Sequence, residues 1–287
     1  MTEKVFFNDG LVDIEEAAIS VRDGGFLYGA GLFETMRSYN GVVFRLNDHL
    51  DRLFSSAEKL AVNNTCGKDY IADAIYQLLN ANDLQDARLR LTLTSGPVSL
   101  SDQPPASTLL ITAAKIEPYP QDYYKNGILA VLCPFRQNPF DPTCGHKTVN
   151  YFSRITGLNL ARQKHAAEAI WFTVDNRLAE GCISNVFLVK NNSLLTPKLD
   201  TPVLPGIMRK TVLEIAASNG IDVTEKDLYI NDCLEADEIF MTNVIMQIMP
   251  VNKLEQHAVG EGKAGQMVSK LRQHLEQLIT GKSVLQK

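Results

Sequence analysis

Four short stretches hold the residue types that could do chemistry. Lys147 stands in Gly145-His146-Lys147-Thr148-Val149-Asn150-Tyr151, among residues that suit a strand running into a helix. A lysine amine is a nucleophile only when deprotonated, so a reacting lysine is defined by its surroundings. Glu180 stands in Leu178-Ala179-Glu180-Gly181-Cys182-Ile183-Ser184-Asn185, just after a strand-like apolar run (169–174) and a turn at Asp175-Asn176. A carboxylate there can keep a facing nitrogen protonated by charge pairing. Leu204-Pro205-Gly206-Ile207-Met208-Arg209 opens a helix, and a helix N-terminus offers unbonded N–H groups to a phosphate. The same residues also read as a plain Pro-Gly turn into a core helix. Arg52, in His49-Leu50-Asp51-Arg52-Leu53, carries a fork of donors that suits phosphate; taken alone it reads as an exposed helix arginine. A single lysine or glutamate is most often a solvated surface residue. The weight lies in their occurring together.

The chain has room to position them. At 287 residues it exceeds the usual single domain and predicts two. Apolar content of 45% and charge of 21% are ordinary for a soluble globular protein. A net charge of −5, with no basic run, argues against nucleic acid. Cys66, Cys133, Cys144, Cys182 and Cys233 are odd in number and lack CxxC spacing. They read as reduced, mostly buried residues of a cytosolic protein, not as disulfides. The five histidines show no HExxH pairing, so no metal is expected. No stretch reads as a signal peptide or membrane span, and the expectation is a cytoplasmic protein.

In chain order, Val5-Phe6-Phe7-Asn8-Asp9-Gly10-Leu11-Val12 predicts a hairpin. A turn at Arg22-Asp23-Gly24-Gly25 leads into residues 26–37, where glycines let the backbone pass close to something. Tyr39-Asn40-Gly41 turns that strand into Val42-Val43-Phe44, and Asn47 or Asp48 caps a helix. Residues 68–80 predict another helix, and 87–94 and 107–114 predict strands, the first alternating polar and apolar. Lys115-Ile116-Glu117-Pro118-Tyr119-Pro120 is the linker candidate. Beyond it come a strand at 127–133, a turn-rich loop at 134–144 and a helical period at 151–165. A hairpin across Asn191-Asn192 follows, then a helix at 205–219, a short strand at 238–241 and a terminal helix at 267–279.

Taken together, these motifs resemble the fold-type IV class of pyridoxal 5'-phosphate enzymes, from Asn8-Asp9-Gly10 to Met249-Pro250-Val251. The resemblance implies a small N-terminal α+β domain (1–116) and a larger, β-barrel-like C-terminal domain with helices (117–287). It implies that Lys147 holds the cofactor as a Schiff base and that Glu180 faces its pyridinium nitrogen. Gly206 and Ile207 would lie under the phosphate, with Arg52 reaching it from the small domain. Met241-Thr242-Asn243-Val244 would be the third phosphate element. Branched-chain and D-amino acid aminotransferases usually carry threonine where Val244 stands, so Val244 would offer only its N–H, leaving Asn243 or Thr242 to supply any side-chain bond. Tyr151 would reach the cofactor's phenolic oxygen or else serve as a core tyrosine. A homodimer is the family's usual assembly.

The reaction is read from fewer residues. D-amino acid aminotransferases carry an arginine and a histidine after the strand equivalent to 88–94, and Ser95-Gly96-Pro97-Val98-Ser99-Leu100 has neither. Tyr28-Gly29 and Phe33-Glu34 resemble branched-chain aminotransferases, which then have glycine where this chain has Thr35. Phe33-Glu34-Thr35, Ala87-Arg88-Leu89-Arg90-Leu91, the Glu180 stretch and Met241-Thr242-Asn243 are similar to 4-amino-4-deoxychorismate lyases. The expectation is therefore a lyase forming 4-aminobenzoate and pyruvate, a step toward folate. The alternative is an aminotransferase acting on branched-chain or other amino acids with 2-oxoglutarate. Lys147 and Thr35 are the candidate catalytic residues, and Tyr28, Phe33 and Arg37 would meet the small-molecule substrate. Thr35 also reads as an ordinary β-branched strand residue.

Overall fold

The structure is a computed structural model that describes residues 2–98 and 106–281. The chain divides into two compact units, Met1–Glu117 with His146–Tyr151, and Pro118–Gly145 with Phe152–Lys287. The return of His146–Tyr151 to the first unit departs from the continuous second domain expected above.

The first unit contains β1 (Lys4–Phe7), β2 (Gly10–Asp13), α1 (Gly24–Tyr28), β3 (Gly31–Tyr39), β4 (Val42–Val43), α2 (Leu46–Lys59), α3 (Lys68–Ala81), β5 (Ala87–Thr94) and β6 (Thr108–Lys115). Its antiparallel sheet runs β2-β1-β6-β5-β3-β4. Side chains alternate across a strand, so β5 turns Leu89, Leu91 and Leu93 to one face and Arg88 and Arg90 to the other. The leucine face joins Leu32, Met36, Leu109 and Ile111 in one core with Leu50 and Leu53 of α2 and Ile71, Ile75 and Leu78 of α3. Each such side chain contributes roughly 1.5–3 kcal/mol on burial.

Two local readings differ from expectation. Residues 24–28 form α1 where a turn at Gly24-Gly25 running straight into a strand was expected, because buried Asp23 caps the turn by accepting the Gly25 N–H at 2.8 Å. Gly29 then ends the helix at φ 68°, a left-handed conformation that glycine adopts freely. The second helix starts at Leu46 behind Arg45 in a left-handed conformation, with no side-chain cap from Asn47 or Asp48.

The second unit contains α4 (Gln121–Asn126), β7 (Ile128–Gln137), α5 (Phe152–Gln163), β8 (Glu168–Thr173), β9 (Leu178–Gly181), β10 (Asn185–Lys190), β11 (Ser193–Pro197), α6 (Ile207–Ser218), β12 (Val223–Lys226), α7 (Ile230–Leu234), β13 (Glu238–Asn243), β14 (Gln247–Leu254), β15 (His257–Ala258) and α8 (Gln266–Ile279). Its mixed sheet runs β12-β11-β10-β13-β14-β7-β8-β9, with β15 on β14. All six residues of β8 are buried, since α5 covers one of its faces and a second apolar cluster fills the other. That is why its sequence reads as an apolar run without alternation. Among the described residues no helix is long and apolar enough to cross a membrane.

Candidate active site

In the first unit, the Lys147 segment is stitched to the edge of β3. Phe33 donates its N–H to the Lys147 carbonyl at 2.9 Å, and Val149 donates to the Gly31 carbonyl at 2.9 Å. The lysine side chain folds over Phe33, its Nζ 4.5 Å from the ring centroid and 5.9 Å from that of Tyr151. Phe33 and Tyr151 meet edge to face at 5.3 Å. Phe33 is also covered by the Arg90 guanidinium at 4.0 Å. One aromatic ring thus contacts two cations, an attraction between positive charge and the ring's π face.

Phe33, Thr35 and Arg37 share the β3 face that points away from the leucine core. Register pairs Thr35 with Arg90 and Arg37 with Arg88, so three arginines crowd this face. Arg37 also lies 4.4 Å over the Tyr39 ring. Loss of solvent and the neighbouring Arg88 charge hold the Arg90 guanidinium below its ordinary pKa. Arg88 and Arg90 form no ion pair with a carboxylate among the described residues. Like charges set opposite each other destabilise a sheet, so such a face suits an anionic ligand. The sequence reading gave Arg37 a place at the substrate but took Arg88 and Arg90 only as part of the lyase-like stretch 87–91. Their spacing of two in a strand was the available signal.

Arg52 is not on the surface. It grips Glu34 with both prongs, Nε to Oε1 at 2.8 Å and a terminal nitrogen to Oε2 at 2.6 Å. His49 Nδ1 lies 2.7 Å from the same Oε2. Glu34 and His49 are almost wholly buried. Burial alone would push the Glu34 carboxyl up, but the Arg52 charge and the His49 hydrogen bond hold it at about 2. Burial lowers the His49 pKa, so the imidazole is neutral at pH 7 and its Nδ1–H donates to the carboxylate. About one turn beyond Arg52 on the same helix, Ser56 Oγ sits 2.8 Å from Nδ1 of His146, the residue before Lys147.

In the second unit, strand ends and a helix start converge. Glu180 is bonded at both oxygens, Oε1 to Arg154 at 2.6 Å and Oε2 to the Leu204 N–H at 2.9 Å. Asn185 donates to the Leu204 carbonyl at 2.8 Å and so pins the loop that leads into α6. A Cβ on Gly206 would collide with Asn185 Oδ1, so the close approach of this turn requires glycine. No side chain caps α6, and its first N–H groups are left for another acceptor. Arg209 is buried and turned elsewhere, bonded to the Pro197 carbonyl and to Glu225.

Thr242, opposite Asn185 in the β10–β13 pairing, has a buried hydroxyl without a hydrogen-bond partner among the described residues. Asn243 spends its side chain on the turn. Its Oδ1 accepts the Ile245 and Met246 N–H groups at 2.9 and 2.8 Å, and its Nδ2 donates to the Ile183 carbonyl at 3.1 Å. Val244 is buried. An uncapped helix start and an orphaned hydroxyl offer donors to a phosphate, and an anchored carboxylate offers an acceptor to a ring N–H, a set that fits a phosphorylated pyridine.

The remaining candidates divide. Tyr28 ends α1 with its ring exposed, while Phe33 is buried under Lys147 and Arg90. Of the loop after β5, Ser99 and Leu100 lie outside the described residues.

Comparison with known proteins gives the geometry a context. The model of the amino-transferase class IV family matches residues 31–254. An aminodeoxychorismate lyase of Bacillus subtilis is 31% identical over 93% of this chain and 92% of its own. A D-alanine aminotransferase of Listeria monocytogenes is 30% identical, over 96% of each. The crystal structure of the Escherichia coli branched-chain amino acid aminotransferase superposes with a TM-score of 0.93. It is 29% identical and covers 100% of this chain and 97% of that one.

Proposed function

Because the chain belongs to the class IV aminotransferases, enzymes of fold type IV that use pyridoxal 5'-phosphate, we propose that it is a lyase releasing 4-aminobenzoate and pyruvate from 4-amino-4-deoxychorismate. The observation that carries this reading is the basic face of β3 and β5, where Arg37, Arg88 and Arg90 surround Thr35 next to Phe33 and Lys147. The substrate bears two carboxylates and a ring amine, and an arginine fork suits a carboxylate. Likeness to the Bacillus subtilis lyase supports the same reading.

Lys147 and Glu180 serve one cofactor in this proposal, with Gly206, Ile207, Val244 and Arg52 toward its phosphate. When bound, pyridoxal phosphate supplies an electron sink for the carbon that carries the substrate amine. Lys147 Nζ takes the proton from that carbon, and the Phe33 and Tyr151 rings shield the amine from water. The arginines orient the two carboxylates, and the Thr35 hydroxyl donates to a polar ring substituent. Tyr151 holds the cofactor's phenolic oxygen. Glu180 keeps a proton on the ring nitrogen, and its bonds to Arg154 and Leu204 fix the carboxylate plane.

The second reading, an aminotransferase, has its own support in the Escherichia coli and Listeria monocytogenes relatives. There the arginines would take 2-oxoglutarate, also a dicarboxylate. A homodimer belongs to the proposal too, supported by the exposed apolar side chains of Val21, Phe26 and Tyr28. One experiment separates the reactions. The enzyme is given aminodeoxychorismate alone, then leucine or D-alanine with 2-oxoglutarate. Sustained 4-aminobenzoate and pyruvate formation without a keto acid supports the lyase. Turnover only with an acceptor present overturns it.

A further inference from the structure

We propose that Arg154 is a positioning residue that pairs with the Glu180 carboxylate and aims it, and so controls how strongly the chain holds a protonated ring nitrogen. The inference rests on the reading of Glu180 given above. Arg154 lies in the first turn of α5 and reaches back to the end of β9. One terminal nitrogen donates to Glu180 Oε1 at 2.6 Å, and the other donates to the Gly181 carbonyl at 3.1 Å. The guanidinium plane is backed by Trp171, 4.7 Å from its ring centroid. Trp171 in turn donates its indole N–H to Cys182 Sγ at 3.2 Å. The cation is therefore fixed at three points, each within two residues of Glu180 or packed on such a residue.

This arrangement has a chemical consequence. A buried carboxylate such as Glu180 is costly to leave without a counter-charge and fixed donors. Arg154 supplies the cation from one side and the Leu204 N–H fixes the other oxygen. An ionised carboxyl has about four lone-pair sites, so these two bonds leave acceptor capacity for a third donor. Lysine at 154 would keep the charge but lose the paired grip on Gly181. Glutamine would keep a donor but lose the charge.

The test measures affinity of the full-length protein, stripped of cofactor, for two probes. One is pyridoxal phosphate, and the other is its analogue with the ring nitrogen replaced by C–H. Arg154→Gln should weaken pyridoxal phosphate binding about tenfold or more, as for a hydrogen bond to a charged group, and leave the analogue within about twofold. Arg154→Lys should recover most of the loss. The pH at which the bound cofactor's absorbance changes should also move in Arg154→Gln and return in Arg154→Lys. Equal weakening of both probes by Arg154→Gln, or no weakening of either, overturns the proposal. If the wild-type chain itself binds the two probes equally, the reading of Glu180 fails, and the role of Arg154 falls with it.

Discussion

Replacing Arg52 by methionine should cost the protein far more than a surface arginine would. The substitution keeps the aliphatic stem of the side chain and removes the fork that holds Glu34 at 2.8 and 2.6 Å. What remains is a carboxylate buried beside a neutral His49. Two routes give the magnitude. Against the opposing effect of burial, Arg52 and His49 together bring the Glu34 pKa from 4.5 to about 2, and at about 1.4 kcal/mol per unit their net effect is on the order of 3 kcal/mol. Breaking a buried pair by removing one partner costs about 3–5 kcal/mol. A depressed folded-state pKa gives stability that is complete above the unfolded value of 4.5 and disappears as pH falls through about 2. Urea unfolding of the cofactor-free protein, followed by circular dichroism from pH 7 to pH 2, reads both effects. Arg52→Met should lose about 3 kcal/mol at pH 7 and flatten the acid limb below pH 4.5. Glu34→Gln with Arg52→Met should lose less than the two single changes summed. A loss under about 1 kcal/mol, the range of exposed pairs, with the acid limb unchanged, would refute the argument. Pyridoxal phosphate affinity of the same variant then reports separately on any phosphate contact.

Three further outcomes follow. Lys147→Ala should abolish turnover and the visible absorbance of the cofactor-loaded protein, and borohydride should no longer trap cofactor on the chain; retained absorbance and activity would move the reacting lysine elsewhere. Glu168→Gln should destabilise by about 1–3 kcal/mol, because the carboxylate accepts the Cys182 and Ile183 N–H groups at 3.0 and 3.1 Å and the Ser184 hydroxyl at 2.8 Å; a melting temperature equal to wild type would show the turn does not depend on it. Thr35→Gly should slow 4-aminobenzoate release more than any amino-acid transamination, and equal slowing of both would remove the hydroxyl from substrate choice.

Much of this was legible in the residues, because local rules agree with the fold along most of the chain. The alternation in Ala87–Thr94 declares both its faces, and Pro205 and Gly206 announce the start of α6. Other features depend on partners far away in sequence. Nothing near Arg52 reveals that a glutamate on β3 holds it, and helical spacing alone left it exposed. Residues 26–28 read as the start of a strand because the polar contacts of Asp23 with Thr94 and Thr108, which bury it, lie 71 and 85 residues away. The Asn243 side chain was read as available for a ligand, although two backbone N–H groups just downstream already hold its oxygen. Arg154 escaped attention for the same reason, since its helix gives no sign of the carboxylate at the end of β9.

The stitching of residues 146–151 onto β3 bears on how the chain is made. Emerging from a ribosome, the first unit has its strands and both large helices once residue 117 is clear, yet lacks the segment that hydrogen-bonds to Gly31 and Phe33. That segment appears only after residues 118–145 have been synthesised, roughly 2–6 s later at ~5–20 residues per second. During that delay the edge of β3 stands open and the arginine face is formed without its lysine. A nascent chain halted before residue 146 is clear should therefore show protected core amides in β5 while the Phe33 amide, which donates to Lys147, still exchanges freely.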